Sequence, residues 1–68
     1  MRDYAVECYP KGWDEPFKRE IFEDKQRAFA HATYMTLYYP KVEVYCLEWT
    51  AGQMGTERYL VKSIIAKR

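Results

Sequence analysis

The single histidine of the chain limits which reactions its side chains could catalyse. A Ser-His-Asp or Cys-His arrangement needs a histidine as its base, so any such arrangement here must use His31. On a helical wheel His31 shares a stripe with alanine and methionine, where a histidine is usually packed and hydrogen-bonded rather than available as a base. We therefore expect no catalytic residue and no enzymatic activity.

Thiols and imidazoles are also the side chains that bind transition metals. Structural zinc takes four ligands, usually in closely spaced pairs, whereas Cys8, His31 and Cys46 stand far apart in the sequence. We expect no metal site and no cofactor. Two cysteines in strand-like segments are typical of a reducing cytoplasm, although a Cys8–Cys46 bridge stays open if the two strands are neighbours.

Carboxylates and glycines could supply two further kinds of chemistry. Five carboxylates surround the first predicted turn: Asp14, Glu15, Glu20, Glu23 and Asp24. A glycosidase needs two carboxylates in a cleft, and a chain of 68 residues has little room for one, so a solvated charged edge is the better interpretation. Gly52 and Gly55 lack the spacing of a phosphate loop and are expected to be turn glycines.

Apolar periodicity predicts the elements that position these residues. We expect strands over residues 4–9, 17–22, 42–49 and 58–66. A helix should begin at Lys25, capped by Asp24, and end at Tyr38 or Tyr39 because Pro40 follows. The order ββαββ predicts an α+β two-layer sandwich, with one helix on a four-stranded, mainly antiparallel sheet, as a single domain over residues 1–68.

Aromatic residues are unusually frequent, at twelve of 68. A domain of this size buries only about 60% of its surface, so its core cannot hide all of them. The helix has an expected inner stripe at Ala28, His31, Ala32, Met35 and Tyr39, and a second stripe at Ala30, Thr33, Tyr34 and Leu37. The last two strands are apolar on both faces, which is typical of central strands covered on both sides. Because one helix covers one face, we expect a second copy or a partner protein to cover the rest.

Large aromatic and aliphatic residues supply most binding energy at protein interfaces. The expected protein-binding residues are Trp13, Tyr34, Leu37, Tyr45 and Trp49. Trp49 has a second interpretation, as a core residue at the end of a strand. The partner is then another protein, or a second copy in a homodimer.

The helix segment 24–30, with Tyr39-Pro40 and a valine-rich strand after it, resembles segments of many small bacterial and phage proteins. The resemblance implies no activity. With no catalytic group expected, we favour a protein-binding module, such as a phage-type inhibitor that occludes a host factor, for example a defence nuclease. An accessory subunit that acts only through assembly is a further interpretation.

A single-stranded nucleic-acid binder is the main alternative. Bases could stack on a sheet face carrying Tyr45 and Trp49, with phosphates held by basic groups. The residues expected on such a face are Arg58, Tyr59, Lys62, Lys67 and Arg68. The formal net charge of only +1 argues against this alternative, because nucleic-acid binders usually carry a clear positive excess.

No segment of the sequence indicates a membrane protein. No apolar run approaches the roughly 18 residues that a membrane span needs. Residues 1–4 lead into an alternating segment rather than an apolar stretch, so we expect no signal peptide. A free-standing cytoplasmic gene product is the expectation.

Overall fold

The computed structural model describes residues 2–48 and 57–66 of the chain. It contains four strands and one helix: β1 (Arg2–Tyr9), β2 (Lys18–Phe22), α1 (Lys25–Met35), β3 (Lys41–Glu48) and β4 (Glu57–Ile65). All neighbouring strands pair antiparallel, in the spatial order β2-β1-β3-β4. The predicted α+β class and the order ββαββ are therefore confirmed.

The helix packs on one face of this sheet through small side chains. Alternate residues of the central strands β1 and β3 point toward it, and Ala28 and Ala32 let it approach closely. The buried cluster consists of Val6, Cys8, Ala28, Ala32, Met35, Val42 and Val44. The predicted inner stripe is confirmed at its three buried members, whereas His31 and Tyr39 lie half-buried at its margins.

Strand β4 lies at an edge of the sheet rather than at its centre. It pairs with β3 on one side, and no strand of the described ranges pairs with its other side. The expectation of a central position was right for β3 and wrong for β4. Apolar residues on both faces of a strand do not by themselves show that both faces are covered. Every residue of β4 except Ile64 is exposed.

The helix begins as predicted and ends earlier than predicted. Asp24 caps it, since its Oδ1 accepts from the backbone N–H of Gln26 at 2.9 Å. The last helical residue is Met35, whose carbonyl oxygen accepts from the amides of both Tyr38 and Tyr39 at 3.0 Å. This shared carbonyl tightens the chain into a turn three residues before the predicted end, and it directs Tyr39 onto the core.

A tight turn follows β1. The amide of Trp13 donates to the carbonyl oxygen of Pro10 at 3.1 Å, and Gly12 adopts a φ of +80°. A type II β-turn requires a positive φ at its third residue, and glycine adopts this φ without strain. The predicted turn at Gly12 is confirmed.

The cysteines lie on neighbouring strands but cannot form a disulfide. Cys8 pairs with Val42, and Cys46 pairs with Tyr4. Four residues along a strand separate the two positions by about 13 Å, whereas a disulfide needs Cα atoms within about 7 Å. Both thiols are free, and burial raises the pKa of the Cys8 thiol. The open alternative of a bridge is therefore excluded by the register.

No helix of the described residues has the length and apolar character that crossing a membrane requires.

Candidate functional site

The sheet face opposite the helix is built around a buried carboxylate. Glu7 projects from β1 on this face and is only 1% exposed. Its Oε1 accepts from Arg58 Nη2 at 2.6 Å and from the Tyr9 hydroxyl at 3.0 Å. Its Oε2 lies 3.3 Å from Nε of Arg19. Two cations and a phenol thus satisfy a charge that would be strongly destabilising without them.

Long side chains lie over the same face and cover it. The guanidinium of Arg58 lies 3.8 Å from the centre of the Tyr45 ring, and the Tyr45 hydroxyl donates to Glu43 at 2.8 Å. The ammonium group of Lys41 lies 4.2 Å from the centre of the Tyr9 ring. We call this arrangement the Glu7 layer: Glu7, Tyr9, Arg19, Lys41, Glu43, Tyr45 and Arg58. Much of the face expected to be open and apolar is therefore covered by the chain itself.

Both tyrosines of the Glu7 layer act as neutral hydrogen-bond donors. Burial raises the pKa of Tyr9, and its hydrogen bond to Glu7 raises it further. The pKa of Tyr45 is also raised, first by burial and then by the hydrogen bond to Glu43. Each phenol keeps its proton because a phenolate would be desolvated next to a carboxylate.

Sequence reasoning missed Glu7, although one signal could have revealed it. The residues two positions away on either side, Ala5 and Tyr9, are apolar and buried. A lone carboxylate between apolar residues on one strand face indicates a buried charge, provided that neighbouring strands supply arginines on the same face.

Ten large apolar side chains outside this layer are exposed in the described residues, and four of them are on β4. Leu60 is 56% exposed and Ile65 is 71% exposed, and Tyr59 and Val61 are also exposed. The amide of Ala66 donates to the carbonyl oxygen of Pro40 at 2.8 Å, so Ala66 directs its backbone toward β3. Because successive residues of a strand alternate in direction, Ile65 and Ser63 direct their N–H and C=O groups outward. We call the outer side of β4 the β4 edge.

A second apolar patch lies at the end of α1. Tyr34, Leu37 and Tyr38 are exposed there, and the rings of the two tyrosines lie 5.5 Å apart. The predicted outer stripe is exposed at all four positions, Ala30, Thr33, Tyr34 and Leu37. Tyr38 lies beyond the end of the helix and is exposed next to this stripe.

A third patch lies on the hairpin between β1 and β2. Trp13 is 51% exposed and packs edge-on against Phe17, with ring centres 5.8 Å apart. Beside Trp13 is a pocket of about 240 Å³, which extends to Pro40, Lys41 and Ile65.

The basic side chains proposed for nucleic acid do not share one face. Arg58 lies on the Glu7 side of the sheet. Tyr59 pairs with Cys46, and Lys62 pairs with Val44, both on the face that carries the helix. A bulge between Val44 and Tyr45 shifts the register of β4 by one residue, so Arg58 and Lys62 lie on opposite faces of the sheet. Trp49, Lys67 and Arg68 lie outside the described residues.

His31 connects the helix to β2. Its Nε2 lies 3.3 Å from Glu20 Oε2, and its ring centre lies 5.1 Å from that of Phe22. Within residues 2–48 and 57–66, no three His, Cys, Asp or Glu side chains gather where they could hold a metal ion. The contacts of His31 are those of a packing residue.

Comparison with known proteins assigns no family. No family model matches the chain, and neither a curated protein nor a solved structure matches it.

Proposed function

We propose that the chain is a small non-enzymatic protein-binding module that binds through the β4 edge. The observation that carries this proposal is an exposed apolar edge strand with outward backbone groups. A strand added to such an edge gains main-chain hydrogen bonds, and neighbouring side chains provide specificity. The exposed apolar side chains of that strand are Tyr59, Leu60, Val61 and Ile65.

The opposite edge of the sheet is unsuited to this role. β2 has five residues, against nine in β4. Charged side chains also protect it, since Lys18 pairs with Glu20 at 3.2 Å and Arg19 pairs with Glu7. Short, charged edges resist pairing with other chains. The contrast favours β4 as the binding edge.

A second copy of the chain is the partner that this edge fits most simply. A two-fold axis at Ser63 would pair β4 with itself, antiparallel, and place Ser63 opposite Ser63. Lys62 would then face Ile64, so the Lys62 side chains of the two copies would not be directly opposed. We propose a homodimer of this kind.

Occlusion of another protein, which would take the place of the second copy at the β4 edge, is the functional use that we favour, as in a phage-type inhibitor. Covering a surface requires no catalytic group. The two free thiols, Cys8 and Cys46, fit a reducing compartment such as the cytoplasm. Single-stranded nucleic acid has less support as a ligand. Of the basic residues expected on a nucleic-acid face, Arg58 is paired with Glu7, and Lys62 lies on the other face of the sheet.

The test compares Ser63→Pro with Ser63→Ala. Proline removes an N–H that points outward, so it should abolish pairing at the β4 edge while leaving the β3–β4 ladder intact. Alanine keeps that N–H and serves as the matched control. Light scattering from low micromolar to near-millimolar concentration should give twice 8.2 kDa for the wild type and Ser63→Ala, and 8.2 kDa for Ser63→Pro.

Circular dichroism should first show that both variants keep the wild-type fold. A wild type that remains a monomer throughout would contradict self-association. A Ser63→Pro variant that is folded and still dimeric would show that the interface lies elsewhere, for example at the end of α1.

A further inference from the structure

The pocket beside Trp13 is a second candidate binding site, and it shares Ile65 with the β4 edge. It lies where the turn after β1 meets the start of β3 and the end of β4. Its apolar walls come from Tyr9, Pro10, Trp13, Pro40 and Ile65. These five residues come from three separate parts of the chain, so the pocket forms only in the folded protein.

Hydrogen bonds and ring packing hold the walls of this pocket in the folded chain. The hydrogen bond from Trp13 to Pro10 closes the turn on one side, and the one from Ala66 to Pro40 holds the other side. Phe17 supports the Trp13 ring edge-on. Prolines have a fixed φ and add no flexibility. Binding to a preformed site requires little ordering of the protein.

The volume of the pocket limits the size of its ligand. A cavity of about 150 Å³ can hold benzene, and sites for drug-sized molecules or cofactors measure roughly 300–1,000 Å³. At about 240 Å³, this pocket has room for one aromatic or aliphatic side chain. It is too small for a cofactor.

The charge around the pocket indicates what accompanies that side chain. The only charged residues that line it are Lys11 and Lys41. In the described part of the chain, neither ammonium group has a carboxylate partner. A larger depression of about 450 Å³ near the start of α1 differs, because it is lined by Glu23, Asp24 and Arg27, which carry both signs of charge. Two lysines around an apolar pocket complement an apolar group flanked by negative charge.

We infer that this pocket binds an apolar side chain, preferably aromatic, from an acidic peptide segment of another protein. The side chain would pack between Trp13 and Ile65, and carboxylates next to it in the peptide would pair with Lys11 and Lys41.

A nucleotide fits this pocket less well than a peptide side chain does. The edge of a base needs hydrogen-bond partners, and the Tyr9 hydroxyl already donates to Glu7. A single strand also needs a basic groove along several phosphates, whereas this pocket has two lysines.

The test titrates the ¹⁵N-labelled chain with three acetylated and amidated peptides. The first is Asp-Glu-Phe-Glu-Asp, the second replaces Phe with Ala, and the third replaces every acidic residue with Lys. The first peptide should shift the Trp13 indole resonance, assigned with Trp13→Ala, and the amides of Gly12 and Lys41. It should bind at least about tenfold more tightly than the other two, because each lacks one of the two complementary features.

Charge-reversal variants locate the carboxylates of the peptide. Lys11→Glu should weaken binding of the acidic peptide about fivefold, because it removes one exposed ion pair and places a negative charge beside the peptide carboxylates. Lys25→Glu makes the same charge change in the first turn of α1, away from the pocket, and should leave the affinity unchanged. Added salt should weaken binding to the wild type.

Four results would overturn the inference. They are an absence of shifts at the pocket with the first peptide, equal affinity for the alanine peptide, equal affinity for the lysine peptide, and stronger shifts of the same resonances by oligothymidine. None of these results bears on the Ser63 variants, so the two proposals can fail separately.

Discussion

Glu7 is the buried centre of the face that the helix leaves uncovered. Moving a carboxylate out of water is destabilising by several kcal/mol, and this is offset only where geometry and hydrogen bonds are good. Arg19, Arg58 and Tyr9 provide that geometry. Arg58, which we expected from the sequence to be a possible phosphate ligand, is instead bound to Glu7 within the chain.

Tyr9 leads to a prediction about alkaline pH. Its pKa in the folded chain is raised above the ordinary value of 10.0, so the folded state holds the phenolic proton more tightly than the unfolded state does. The resulting stabilisation is complete below that ordinary value and is lost as the pH rises above it. Between about pH 9 and 11, the free energy of unfolding in urea should fall more steeply for the wild type than for Tyr9→Phe.

The control for this measurement is Tyr4→Phe, which removes a hydroxyl on the helix-bearing face. It leaves the hydrogen bond from Tyr9 to Glu7 in place. Near pH 7, Tyr9→Phe should be less stable than the wild type by about 1 kcal/mol, because one hydrogen bond to Glu7 is lost while the arginines remain. Identical alkaline slopes for the wild type and Tyr9→Phe would contradict the assignment.

At the scale of elements, local signals in the sequence predicted the fold well. Asp24, Gly12 and the alternation of Val6 and Cys8 each act through neighbouring residues, and the structure confirms what they indicated. The edge position of β4 depends on which strands pair across the whole chain. An apolar strand that is covered on both sides and one that awaits a partner have the same pattern, so the sequence could not distinguish them.

The candidate binding surfaces were predictable only in part, for a similar reason. Exposure of Tyr34 followed from helix periodicity, and that of Trp13 from a proline-bounded turn, whereas Leu37 is exposed beyond the end of the helix. The placement of Tyr45 within the Glu7 layer required Arg58 to lie against its ring, and those residues are brought together only by the pairing of β3 with β4.

The helix cap can be tested with a neighbouring carboxylate as control. Asp24→Ala removes the acceptor for the Gln26 amide and should destabilise the chain by about 1 kcal/mol. Glu23→Ala removes an exposed carboxylate one residue earlier and should change stability by less than half as much. Urea denaturation followed by circular dichroism measures both. Equal losses would show that charge near the helix start matters and that the cap does not.

The whole molecule exposes more surface than its size requires. Its accessible area is 5129 Å², whereas a folded monomer of this mass typically exposes about 4,500 Å². A single helix on a sheet makes a thin body, and the buried cluster consists largely of valine and alanine. With so small a core, the chain relies heavily on its strand ladders and on the Glu7 layer for stability.

Arg58 joins the last strand to the first, across β3 and 51 positions along the sequence. Detachment of β4 would therefore leave a buried carboxylate with one fewer cation.

We predict that the amides of β4 bonded to β3 exchange with solvent at nearly the same opening free energy as those of β1, despite the exposure of β4. Arg58→Ala should make β4 exchange faster than β1. Arg2→Ala, which removes an exposed ion pair with Glu48, should not separate them. A clearly lower opening free energy for the β4 amides than for the β1 amides in the wild type would contradict this coupling.

Because Arg58 anchors β4 to Glu7, the strands of the sheet open together, and a ligand bound at the β4 edge affects the opening of the other strands. A strand that bound β4 would suppress its detachment, and by linkage it would slow the opening of β1 as well. Binding at the β4 edge would thus be detectable as increased protection at Glu7, on a strand that the partner never touches.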